Sequence, residues 1–169
     1  MAERIPQDIA DQKERLTVAQ INKNTAEKAR CAYCSLGCAY ISLSDFHRAI
    51  EYHNRHLSIA KEVGSRACEG TANGNLGVAY QSLNELQRAI EYHNRHLSIA
   101  KEVGSRACEG TAYGNLGVAY QSLNQLQRAI EYHKQHLSIT RKSVVGQEKD
   151  LPMVISASLI NPSANSNEQ

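Results

Sequence analysis

Apolar residues recur at helical spacing twice within every stretch of 40 residues. Between 70 and 109, Ala72, Leu76, Ala79, Tyr80 and Leu83 fall three or four apart, and Leu86, Ala89, Ile90, Leu97 and Ile99 form a second, looser run. The polar break Leu83-Asn84-Glu85 separates the two runs and suits a tight turn between helices. Gly104-Ser105 then closes the second run and opens the next, with glycine free to adopt the left-handed conformation and serine able to cap the helix that follows. The pattern predicts a helical hairpin and contains no strand signal.

The hairpin is repeated. Glu51 matches Glu91 and Glu131 at a step of 40, and EYHNRHLSIAKEVGSRACEGTA occurs at 51–72 and again, unchanged, at 91–112. Three units follow, at about 30–69, 70–109 and 110–142, with the match failing after Ile139. A period of this size marks a solenoid, in which no unit can bury its apolar face without its neighbours. The period alone is shared by HEAT and armadillo arrays, so the choice rests on the internal pattern.

Unit three reads Tyr113-x2-Leu116-Gly117-x2-Tyr120, followed by Ala129 and His133, which resembles the tetratricopeptide signature W-x2-L-G-x2-Y…A-x3-F. Units one and two share it, except that Asn73 replaces the first aromatic in unit two. Gly37, Gly77 and Gly117 fit the pattern physically, because a side chain there would hold the two helices of a hairpin apart. The usual period of this family is about 34. The extra residues fall in AKEVGSRACEG and are assigned to longer helices, of roughly 18 residues and about 27 Å.

Over roughly 25–142 the units resemble the tetratricopeptide arrays of the Partner of Inscuteable and G-protein-signalling modulator proteins, and more closely those of tetratricopeptide repeat protein 28 and its relatives. That resemblance implies an all-α, right-handed α-solenoid of antiparallel helical hairpins, a superhelix that grips extended peptide segments and has no catalysis of its own. By the family's layout the first helices line a concave groove. The residues this assigns to the groove are Cys34, Cys38 and Ile41; Gly74, Asn75, Val78 and Gln81; and Gly114, Asn115, Val118 and Gln121. The surface is neutral, and its amide side chains are suited to pairing with peptide backbone. Cys38, Val78 and Val118 replace an asparagine usual in the family, so a carboxylate clamp of the chaperone type is not expected. No segment resembles the G-protein-binding motifs of the modulator proteins, so G-protein coupling is not carried over.

Composition narrows the partners. The chain has 169 residues, 41% hydrophobic and 21% charged, and a formal net charge of +2 without any block of like charge. Those values suit a globular protein and lack the basic footprint of a nucleic-acid binder. The polar start MAERIPQDIADQKERL has no signal-peptide core, and the apolar run LPMVISASLI at 151–160 is half the length of a membrane span. With five cysteines, an odd number, the expectation is free thiols in a reducing compartment, the cytoplasm. Protein or peptide ligands are the expected partners, with no nucleic acid, no membrane and no cofactor.

Two clusters invite a different chemistry. His53/His56, His93/His96 and His133/His136 each sit three apart, a spacing that can present two imidazoles to one metal ion. They fall where the family pattern places packing residues, and Glu51, Glu91 and Glu131 are wrongly spaced for an H-E-x-x-H zinc site. Cys31, Cys34 and Cys38 share one helix, whereas structural metal sites draw on more than one segment. The alternative function these clusters define is a metal-binding or redox-responsive protein. No unrepeated nucleophile, base and acid constellation and no phosphate loop is present, so no catalytic residue is assigned.

At the ends, residues 1–24 read as a degenerate capping helix from Pro6 to about Lys23. Residues 143–169 read as a divergent segment with a disordered tail. A last unit without a polar cap would expose apolar surface, which points to a fragment or variant of a longer array.

Overall fold

The computed structural model describes residues 8–15 and 26–148, the last seven of these by backbone alone. Seven helical elements follow in order: α1 at 8–15, α2 Ala26–Ser42, α3 Phe46–Glu62, α4 Arg66–Ser82, α5 Leu86–Glu102, α6 Arg106–Ser122 and α7 Leu126–Glu148. No strand occurs among the described residues. The hairpins are α2–α3, α4–α5 and α6–α7. Helices of 17 residues and connectors of three residues account for the whole period, so the family's extra residues do lengthen the helices.

The connectors explain why the helices stop where they do. Ser44, Asn84 and Asn124 take φ of 59°, 60° and 56°, and Gly64 and Gly104 take 68° and 69°. A single left-handed residue after a helix lets the next N–H reach back to the last turn. Glu85 N donates to Tyr80 O, and Ser105 N to Ala100 O, both at 2.9 Å. Asp45 caps α3 through the backbone N–H of Arg48 at 3.2 Å, and Ser105 caps α6 through that of Cys108 at 3.4 Å. Position 144, where Gly64 and Gly104 have their counterpart, is Val144. Without that stop α7 runs on through TRKSVVGQE to 23 residues.

Within each hairpin a histidine of the second helix lies against a glycine of the first. Gly37 faces His53, Gly77 faces His93 and Gly117 faces His133, all so close that a methyl group in place of the hydrogen would overlap the imidazole. His53 and His93 are fully buried, as are Leu36, Leu76 and Leu116. Stacked tyrosines join the same helix pairs farther along, at 5.3 Å for Tyr40–Tyr52, 5.2 Å for Tyr80–Tyr92 and 5.2 Å for Tyr120–Tyr132.

Between hairpins, each second helix packs on the next first helix. Ile90 and Leu97 of α5 meet Ala112, Leu116 and Ala119 of α6 in one cluster. At the other end Ile9 of α1 joins Ala29, Ala32, Tyr33, Leu36 and Tyr40 of α2. The remainder of the 1–24 segment, and residues 149–169 with their apolar run, lie outside the described residues. The first helices also touch one another, α2 with α4 and α4 with α6, whereas α3, α5 and α7 do not. The stack therefore curves, with the first helices on its inner side.

Candidate functional site

The inner face is made by side chains that leave α2, α4 and α6 away from their partner helices. Asn75 of α4 reaches across to α2, its Nδ2 lying 3.9 Å from Cys34 Sγ and 3.8 Å from Cys38 Sγ. Cys34 is half-buried and Cys38 exposed. Ile41, Val78, Gln81 and Asn115 are half-buried, while Val118 and Gln121 are exposed. Gly74 is different, being buried against His96, with 3.0 Å from the position of an added Cβ to the imidazole Nδ1. Gly114 meets His136 in the same way at 3.2 Å. These two glycines serve the approach of α5 and α7.

Cys38 stands apart electrostatically. The neighbouring Cys34 thiol and the His53 ring hold the Cys38 thiol below its ordinary range, against the opposing effect of burial. The same pairing pushes Cys34 upward. Cys31 is exposed. Cys68 lies half-buried at the next hairpin, where Arg30 Nη1 donates to its sulfur at 2.7 Å. Among the described residues no disulfide forms, and no group of three or more His, Cys, Asp or Glu side chains converges as metal ligands would.

The paired histidines are packing groups. His53, His56, His93 and His96 are buried at 0%, 1%, 0% and 6% exposure, so neither member of the first two pairs presents a ring to solvent. Burial, with His53 and Arg30 nearby, lowers His56 to about 4, and burial with His96 nearby lowers His93 to about 4. Burial lowers His96 as well. In the last hairpin His136 Nδ1 is paired with Gly110 O at 2.7 Å.

A second concavity, outside the set assigned from sequence, opens where α3, α4 and α5 meet. It has a volume of about 430 Å³ and is lined by Leu57, Lys61, Asn73, Arg95, Ser98 and Ile99, among others. The signal for it in the sequence is the interruption Tyr33, Asn73, Tyr113 at one repeat position.

The architecture is that of an all-α solenoid of antiparallel hairpins, the helical-repeat class of protein. Tetratricopeptide repeats match at residues 32–67 and 68–142, without a gap, and the chain belongs to the tetratricopeptide repeat family. Proteins of this family generally mediate protein–protein interaction. G-protein-signaling modulator 1 of Homo sapiens is 38% identical over 56 residues, which are 33% of this chain and 8% of that protein. The chain thus matches less than a tenth of the length of that relative. Among solved structures, the TPR domain of Arabidopsis FLU superposes with a TM-score of 0.66 at 20% identity, over 69% of this chain and 98% of that one. BtubC from P. vanneervenii gives 0.75 at 24% identity, over 82% and 57%. The TPR-like repeats of a putative kinesin light chain from Podosopora anserina give 0.70 at 16%, over 83% and 69%. These similarities establish the shared right-handed superhelical fold. No described helix is long and apolar enough to cross a membrane.

Proposed function

We propose that the chain is a non-catalytic scaffold that holds extended segments of partner proteins against the inner face of its first helices. The observation that carries this reading is the asymmetry of helix contacts, since α2, α4 and α6 touch in series and the second helices do not. A curved row of parallel helices offers a trough. Its neutral floor and its row of amides, Asn75, Gln81, Asn115 and Gln121, suit a polypeptide backbone, whose N–H and C=O groups must be paired when water is displaced. A near-zero net charge favours protein over nucleic acid or an anionic membrane. The free thiols suit a reducing compartment such as the cytoplasm.

Affinity capture from source cells with the wild-type chain and an N75W/N115W variant tests the reading. The expected outcome is that the variant keeps its helical circular dichroism and loses at least about tenfold in captured partner, because two indoles fill the trough and remove its amides. Capture that survives both substitutions in the folded variant counts against the inner face.

A further inference from the structure

Unit two lacks an aromatic ring that its neighbours have. In unit one Tyr33 lies 6.2 Å from Tyr52 of the second helix, with the Arg55 guanidinium 5.8 Å from its ring centre. In unit three Tyr113 lies 6.2 Å from Tyr132, with Lys101 of the preceding hairpin 5.5 Å from its ring centre. Around the same position of unit two stand Lys61 of the preceding hairpin, one period before Lys101, and unit two's own Arg95, one period after Arg55, and Tyr92. Between them it has Asn73, and there the concavity of about 430 Å³ opens, with Leu57 and Ile99 as apolar walls and the ion-paired Arg66 and Glu69 also in its lining. Asn73 is 4% exposed. Its Nδ2 donates to Glu69 O at 2.7 Å, which fixes the orientation of the amide and leaves a buried Oδ1 with no partner.

We infer that this slot binds the phenol ring of a tyrosine side chain presented by a partner polypeptide. The ring replaces the missing aromatic between Lys61 and Arg95, where two cations favour a π face, and its leading hydroxyl donates to Asn73 Oδ1. An unpaired buried acceptor is costly, so a ring that brings a donor gains over one that does not, and phenylalanine is disfavoured for that reason. The slot is separate from the inner face. Asn73 faces α5 and the preceding hairpin, whereas Asn75, two residues on, points toward α2.

Titration of the full chain with N-acetyl-tyrosinamide into the millimolar range, followed by backbone amide NMR, tests the assignment. Saturable shifts are expected around Lys61, Asn73 and Arg95 to Ile99, and N-acetyl-phenylalaninamide is expected to bind about tenfold more weakly. The N73Y variant puts into unit two the ring that units one and three carry. It should fold, melt at a higher temperature and lose the shifts. N73A, which keeps the slot open and removes the acceptor, should bind the two probes equally. Shifts that persist in N73Y, an absence of saturable shifts at these residues, or equal binding of the two probes to the wild type overturns the proposal.

Discussion

Gly77 and His93 divide a volume that holds one imidazole and no more. The ring is fully buried, and the glycine allows α4 and α5 to close on it. Replacing Gly77 by alanine puts a methyl group into the ring, which has no exposed direction in which to retreat. The expected cost is about 2 kcal/mol or more, read as a lower urea midpoint at unchanged slope. Combining G77A with H93A should recover part of that loss, because the second change removes the atom that is struck. Glycine at the repeated position is legible in the sequence as a site of close helix approach. That its partner is a histidine is not, because sixteen residues separate them along the chain and only the closed hairpin brings them together.

At the scale of the element, α5 and α7 begin with the same eight residues, LQRAIEYH, and differ in what covers them. Leu86, Ile90 and Leu97 are 9%, 8% and 8% exposed, the last two packed against α6, whereas their counterparts Leu126, Ile130 and Leu137 are 55%, 48% and 65% exposed. Burial of apolar surface and the absence of a cavity are what stabilise such residues. I90A is therefore expected to destabilise by about 2–4 kcal/mol and I130A by less than about 1 kcal/mol, measured by thermal or urea unfolding of the two variants in parallel. Equal losses would contradict the one-sided packing of α7. Sequence identity here predicts the same helix and the same amphipathic face, and it is silent on whether a neighbour is present.

Across the whole molecule, buried imidazoles recur in register and make stability depend on pH. His56 and His93 titrate near 4 in the folded chain, below the ordinary value of about 6.5 expected once unfolded. Between those values the unfolded chain binds more protons than the folded one. Stability is then fully present above about pH 6.5, declines as the pH falls toward 4, and levels off below it, with each histidine contributing on the order of 3 kcal/mol. Urea midpoints measured from pH 7.5 to 4 should fall through this window, and replacing His93 by glutamine should flatten the decline. A flat profile in the wild type would contradict the buried, neutral state of these rings. The sequence by itself determined the 40-residue period, the helical hairpin, the turns at Asn84 and Gly104 and the solenoid class, because helical periodicity and left-handed turn residues are properties of neighbours along the chain. Only the tertiary structure decided that the imidazoles lie under glycines, that Asn75 reaches the cysteines of α2, and that Asn73 leaves a slot between Lys61 and Arg95. Each of those depends on side chains from different helices meeting at a few ångströms, and the curvature and spacing of the stack set that distance.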